Sequence, residues 1–105
     1  MTVTKAELLK LLSDATGLSK ADLEVVIGGF LQSIIESLES GDRVEIRGFG
    51  SFFPKERAAR TIKNPRTRKT MAVGHRFVPV FRPAKQFRER VNHKRLADTN
   101  DNSQS

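Results

Sequence analysis

Residues 63–69 read KNPRTRK, in which Lys63, Arg66, Arg68 and Lys69 are cationic, none is anionic, and Pro65 sits among them. Such a set does not make or break bonds; it grips phosphate oxygens, the arginines through paired N–H donors and the lysines as point charges. Cations alone do not hold a stiff duplex in a bend, which costs about 1–6 kcal/mol over a short site. An apolar proline ring has little side-chain entropy to lose, so it can wedge between stacked bases while its charged neighbours hold the strands on either side. Taken alone, Asn64-Pro65 is also an ordinary turn signal. The surrounding sequence decides between the two readings.

Net charge is +7, from 19 Lys and Arg against 12 Asp and Glu, and it is strongly segregated. Residues 1–42 sum to −4, residues 43–95 to +13 with sixteen of the nineteen basic residues, and the last ten residues to −2. From Lys55 to Arg76 the basic residues Lys55, Arg57, Arg60, Lys63, Arg66, Arg68, Lys69 and Arg76 face Glu56 alone, so this stretch equals the whole chain's +7. Solvated faces mix both signs, whereas a one-sided block points to a polyanionic partner, either nucleic acid or an acidic membrane surface.

These cations need a scaffold. Thr4-Lys5-Ala6-Glu7 reads as a capping box opening a helix with Leu8, Leu9, Leu12 and Ala15 on one face, stopped by Gly17. Ser19-Lys20-Ala21-Asp22 reads as a second cap, and Leu23, Val26, Ile27, Phe30, Leu31, Ile34, Ile35 and Leu38 follow at helical spacing up to Gly41. That stripe is too broad for one small chain to cover, so residues 1–42 read as helical, with part of the stripe buried against a second copy of the chain. Near residue 43 the apolar period changes to alternation, with Val44 and Ile46 on one side, a turn at Gly48-Phe49-Gly50, and extended Ser51-Phe52-Phe53. Residues 55–62 and 70–81 read as two further strands joined by the 63–69 turn. The part from 55 to 76 lacks the apolar residues to pack on a core and should project as a basic two-stranded arm. Ten residues at about 3.3 Å each give the arm a reach of roughly 33 Å, close to the ~34 Å repeat of B-DNA. Pro83 suits the first turn of a short helix over 82–96, and residues 97–105 (ADTNDNSQS) read as a disordered polar tail.

Other chemistries find little support. With 105 residues, no Cys and two His, the chain offers one small domain without disulfides, thiolate metal ligands or a cysteine nucleophile. His75 and His93 lack a carboxylate pair, and the Gly-rich turn lacks the Lys and Ser/Thr of a P-loop, so no catalysis, metal, cofactor or small-molecule substrate is expected. Residues 82–95 are too poor in apolar residues for an interfacial membrane helix, and no stretch is apolar enough for a span. Residues 47–53 (RGFGSFF) approach an RNA-recognition signature. They fail where Ser51 and Pro54 replace expected residues, and two helices precede the first strand.

RVEIRGFGSF at 43–52, ERAAR at 56–60, KNPRT at 63–67 and VPVFRPAK at 78–85, in this order after two capped helices, resemble the bacterial HU/IHF family of DNA-bending nucleoid proteins, with 43–52 nearest the integration host factor beta branch. The likeness spans residues 1 to about 92. It implies an α+β fold built as an intertwined dimer, homodimeric or heterodimeric, with a β-saddle and two arms in the minor groove of double-stranded DNA. It also implies a cytoplasmic protein of the nucleoid. By the same resemblance Pro65 is the wedge, Arg57, Arg60, Lys63, Asn64 and Arg66 line the groove or its phosphates, Arg47 reads sequence, and Lys5, Arg82 and Lys85 touch the flanks. Arg68, Lys69 and Arg76 complete the expected DNA-binding set by charge. The sequence departs from the family at Ile62 and Arg68, which replace glycines near the tip, at Ala84, at Pro54, which should remove a ladder donor at the arm's base, and in the continuation HKRLADTNDNSQS. An RNA-binding or ribosome-associated basic protein is the alternative of another class.

Overall fold

A computed structural model describes residues 1–103; the final two positions of the expected tail, Gln104 and Ser105, lie outside the described residues. The chain divides into a unit of residues 1–36 and a unit from Ser37 onward.

In the first unit, α1 (Lys5–Thr16) starts where Thr4 is extended and its Oγ1 accepts the Glu7 N–H at 3.3 Å. The Glu7 carboxylate in turn accepts from the Thr4 hydroxyl at 3.4 Å, so the capping box closes between side chains. The Gly17 N–H donates to the Ser13 carbonyl at 2.9 Å and closes the helix. The next helix, α2 (Lys20–Glu39), begins with the Ser19 hydroxyl accepting the Asp22 N–H at 3.1 Å, as the second capping signal requires. Among the described residues Leu9 and Leu23 are the only buried large apolar side chains. Val25, Val26, Phe30, Leu31 and Ile35 along α2 are exposed, the first at 76%.

The second unit holds the end of α2, five strands and α3 (Lys85–Ser103). The strands β1 (Val44–Ile46), β2 (Gly50–Arg57) and β5 (Arg76–Pro83) form an antiparallel sheet in the order β1-β2-β5, and β3 (Arg60–Lys63) pairs with β4 (Thr70–Val73) as a separate ribbon. Strand alternation sorts the three-stranded sheet into two faces. Opposite residues Phe52 and Phe81 lie on one face, their ring centroids 4.7 Å apart, and Phe49 and Phe87 join them at 5.3 and 6.1 Å from Phe81. Ser51 opposite Arg82 and Lys55 opposite Val78 lie on the other face. Gly48 takes φ 80° in the turn between β1 and β2, and the Ala84 N–H donates to the Phe49 carbonyl at 2.8 Å, tying that turn to the end of β5.

Three expectations need correction. Pro54 does not interrupt the ladder: it lies directly opposite Pro79, and pairing continues past both to Arg57 and Arg76. Antiparallel ladders alternate bonded and open pairs, and two residues without an N–H are accommodated together at an open pair. Pro83 belongs to β5, opposite Gly50, and the helix begins only at Lys85. That helix is also not short. Residues 97–103, read as disordered from their polarity, continue α3, where Asp98 meets Lys94 at 3.3 Å and Arg95 at 3.5 Å and the Thr99 hydroxyl donates to the Arg95 carbonyl. Composition undervalued these contacts at helical spacing.

Gly50 is buried, and a Cβ built on it would lie 2.5 Å from the Arg82 carbonyl oxygen and 2.6 Å from the Phe81 ring. Gly50→Ala must therefore push β5 away from β2. We expect about 1–3 kcal/mol of destabilisation, read as a lower urea midpoint with the slope unchanged.

Candidate nucleic-acid interface

The tip is organised by Asn64. Its side-chain oxygen accepts the Arg66 N–H at 2.9 Å, its carbonyl accepts the Arg68 N–H at 2.8 Å, and its own N–H donates to the Lys69 carbonyl at 3.0 Å. Asn is suited to this because its side chain can imitate a backbone acceptor. Pro65 rides on this closed loop, exposed at its apex with Arg66 beside it. Arg68 holds φ 59° and is the one non-glycine described in the left-handed region. An L side chain there costs about 1–2 kcal/mol.

Behind the tip, every residue from Lys55 to Ala72 is exposed. The ladder is interrupted once on each side, at Ala58-Ala59 and at Gly74-His75, and its register does not slip: Arg57 faces Arg76 before the gap and Arg60 faces Val73 after it. His75, expected within a strand, lies in the gap instead, its Nε2 2.7 Å from Glu56 Oε1 and its ring edge-on to Phe77. Neither this pair nor the gap was visible in the sequence, whose alternation runs through both.

Arg57 and Arg76 face each other on the sheet face that carries Lys55 and Arg82. Arg76 is half-buried, and its Nη1 is the one buried side-chain donor without a hydrogen-bond partner among the described residues. On the same face, Arg82 and Arg43 lie over the Phe53 ring at 5.4 and 5.0 Å. Sequence reading missed Arg43, although the aromatic residue at 53 offered a landing place for a cation. Arg47 and Arg82 line a shallow depression of about 700 Å³ with Gly48 and Ser51. Lys85 is drawn to Glu89 at 3.8 Å, and Lys5, in the helical unit, to Glu24 at 3.6 Å. The structure thus brings Arg47 and Arg82 together at the saddle, Lys55, Arg57 and Arg76 at the arm's root, Arg60 and Lys63 on the ribbon, and Asn64, Pro65, Arg66, Arg68 and Lys69 at the tip. The RNA-recognition alternative weakens, since Phe49 and Phe52 are engaged with other rings and Gly48-Phe49 forms a turn.

The model of the family described as bacterial DNA-binding protein matches residues 3–92. The chain belongs to this family. Within it, an integration host factor subunit beta from Marinobacter nauticus is 45% identical over 91 residues, covering 86% of this chain and 93% of that protein. The DNA-binding protein HU of Clostridium pasteurianum is 39% identical over 90 residues, covering 86% and 99%. An Anabaena HU–DNA cocrystal structure superposes with TM-score 0.78 at 38% identity, covering 85% of this chain and 97% of that one. Family members of this kind are architectural DNA-binding proteins, and the α+β arrangement here is theirs.

Arg68 separates backbone strain from charge. In a fluorescence-anisotropy salt titration on duplex DNA, Arg68→Gly should bind more weakly and show a log K against log salt slope shallower by about 0.9, one phosphate's worth. Arg68→Lys should keep the slope.

Proposed function

We propose that the protein is a dimeric DNA-bending protein whose two arms enter the minor groove and whose Pro65 side chains open a base step. One observation carries this reading: an exposed ribbon, set in a stretch without an acidic residue from Arg57 to Arg88, ends in a hydrogen-bonded loop with a proline at its apex. The cations attract phosphates from both strands, and the uncharged ring, held by the Asn64 loop, breaks the stacking that keeps the duplex straight. Minor-groove entry with an apolar wedge is also what the family resemblance implies. Arg57, Arg60, Lys63, Asn64, Arg66, Arg68, Lys69 and Arg76 would hold the duplex along the arm, with Arg47, Arg82, Lys85 and Lys5 on its flanks.

Dimerisation is supported by the apolar surface that one chain leaves open. Val25, Val26, Phe30, Leu31 and Ile35 are exposed on α2, and Phe77 and Phe81 on the sheet face away from Arg82. Exposed apolar surface of this extent marks a protein–protein contact, which a second copy or a related subunit would cover. Two arms then act on one duplex. A protein working in this way needs no catalytic step and would reside in the nucleoid; among the described residues no helix is long and apolar enough to cross a membrane.

Pro65→Ala should reduce the cyclisation of short linear DNA to near the level of free DNA while affinity changes only a few-fold, and equal losses in both would remove the wedge from the mechanism. Light scattering should give twice the mass of one 105-residue chain, a state that Phe30→Glu disrupts; a monomer that still bends DNA would exclude the two-armed reading.

A further inference from the structure

The arm carries cations along its length and at its tip, but one face of its ribbon also carries apolar residues that phosphate binding does not use. Residues directly opposite in an antiparallel pair share a face. Register places Ile62 opposite Met71 and Arg60 opposite Val73 on one face, and Thr61 opposite Ala72 and Lys63 opposite Thr70 on the other. Ile62 and Met71 are 38% and 64% exposed. They stand immediately behind the loop that presents Pro65, where the ribbon runs on from the wedge.

We infer that Ile62 and Met71 make the arm select against guanine beside the kinked step, by laying a face poor in hydrogen-bond acceptors over the minor-groove floor. The inference rests on the minor-groove reading above. In that groove A·T and T·A pairs show only acceptors, while G·C adds the exocyclic N2 amino donor of guanine. On this ribbon face Ile62 and Val73 have no acceptor, Arg60 has only donors, and the Met71 thioether is a weak acceptor. Covering an amino group with such a face removes its water and returns no hydrogen bond, and a stranded buried donor is costly. Over A·T pairs no donor is stranded.

Charge fixes which partner takes the face. Arg60 shares this face, Arg66, Arg68 and Lys69 follow at its tip, and no acidic residue lies between Arg57 and Arg88, so a polyanion with a recessed, less polar floor fits it and an ordinary protein surface does not. A cross-strand pair that merely stabilises the ribbon would contribute to folding but be indifferent to the chemistry of the groove. That difference is measurable.

Four duplexes with the same central kinkable step are compared, with flanks of A·T, 2,6-diaminopurine·T, I·C or G·C. Diaminopurine adds the N2 amino group to an A·T pair, and inosine removes it from a G·C pair. The full-length protein is expected to bind the two amino-bearing duplexes about tenfold more weakly than the two lacking it. Ile62→Thr/Met71→Thr keeps strand-forming residues and supplies hydroxyl acceptors, and should narrow the difference to about twofold. Equal wild-type affinity for all four overturns the proposal while leaving the arm's role intact. Undiminished discrimination in the double variant also overturns it, because the amino group would then be acting through duplex stiffness. End-to-end energy transfer measured on the same duplexes reports bending; if none is bent, the minor-groove reading fails and this inference fails with it.

Discussion

The antiparallel ladder between β2 and β5 is the constraint on which everything else in this fold depends. Its alternation puts Phe52 and Phe81 on one side, where they build the aromatic cluster, and Lys55, Arg57, Arg76 and Arg82 on the other. A slip of one residue would exchange the two sets, burying guanidinium groups and exposing rings. Gly50 secures the register at one end, because only a residue without a side chain fits against the Arg82 carbonyl and the Phe81 ring. The paired prolines at 54 and 79 secure it in the middle, since a one-residue slip would set an N–H-less ring against a partner that requires a donor.

The ladder also concentrates like charge where folding alone gains nothing from it. Arg57 opposite Arg76 is a repulsive cross-strand pair, made costlier by the buried, unpartnered Arg76 Nη1. An anion placed between the two guanidinium groups would offset one of their two charges and offer both of them an acceptor. Under the proposed function a backbone phosphate is such an anion, which would make the root of the arm more than a spacer. The same logic covers the apolar residues left open on α2 and on the aromatic side of the sheet. The lone chain buries few large side chains because its partners complete it.

Much of this was legible in the sequence because it rests on local rules. Thr4 and Ser19 cap their helices through hydroxyls whose type and position announce the role, and the shift from helical to alternating apolar spacing near residue 43 marks the first strand. Asn64-Pro65 declared a turn, and the charge census singled out the ribbon as the candidate site. The illegible features depend on which residues face each other. Pro54 is harmless only because Pro79 lies opposite, His75 leaves the ladder to meet Glu56 from nineteen residues away, and Arg43 gains its place over Phe53 from the sheet's shape. The continuation of α3 through Ser103 was hidden for another reason: polarity suggested disorder, whereas the spacing of Lys94, Arg95 and Asp98 supports a helix.

Ile62 and Arg68, standing where the family resemblance calls for glycine, together with the gap at the arm's root, point to a division of mechanical labour. Replacing glycine lowers the conformational entropy of the unfolded and free arm, so less order remains to be imposed on binding. The tip becomes stiff, at the expense of strain at Arg68 φ 59°. Four residues at the root, Ala58, Ala59, Gly74 and His75, stand outside the ladder, so the ribbon can change direction there without breaking a cross-strand pair. An inserted wedge works only if its mount does not yield, and it finds its step only if the mount can be aimed. A rigid loop carried on an articulated stem satisfies both requirements, whereas a uniformly flexible or uniformly rigid hairpin would satisfy one.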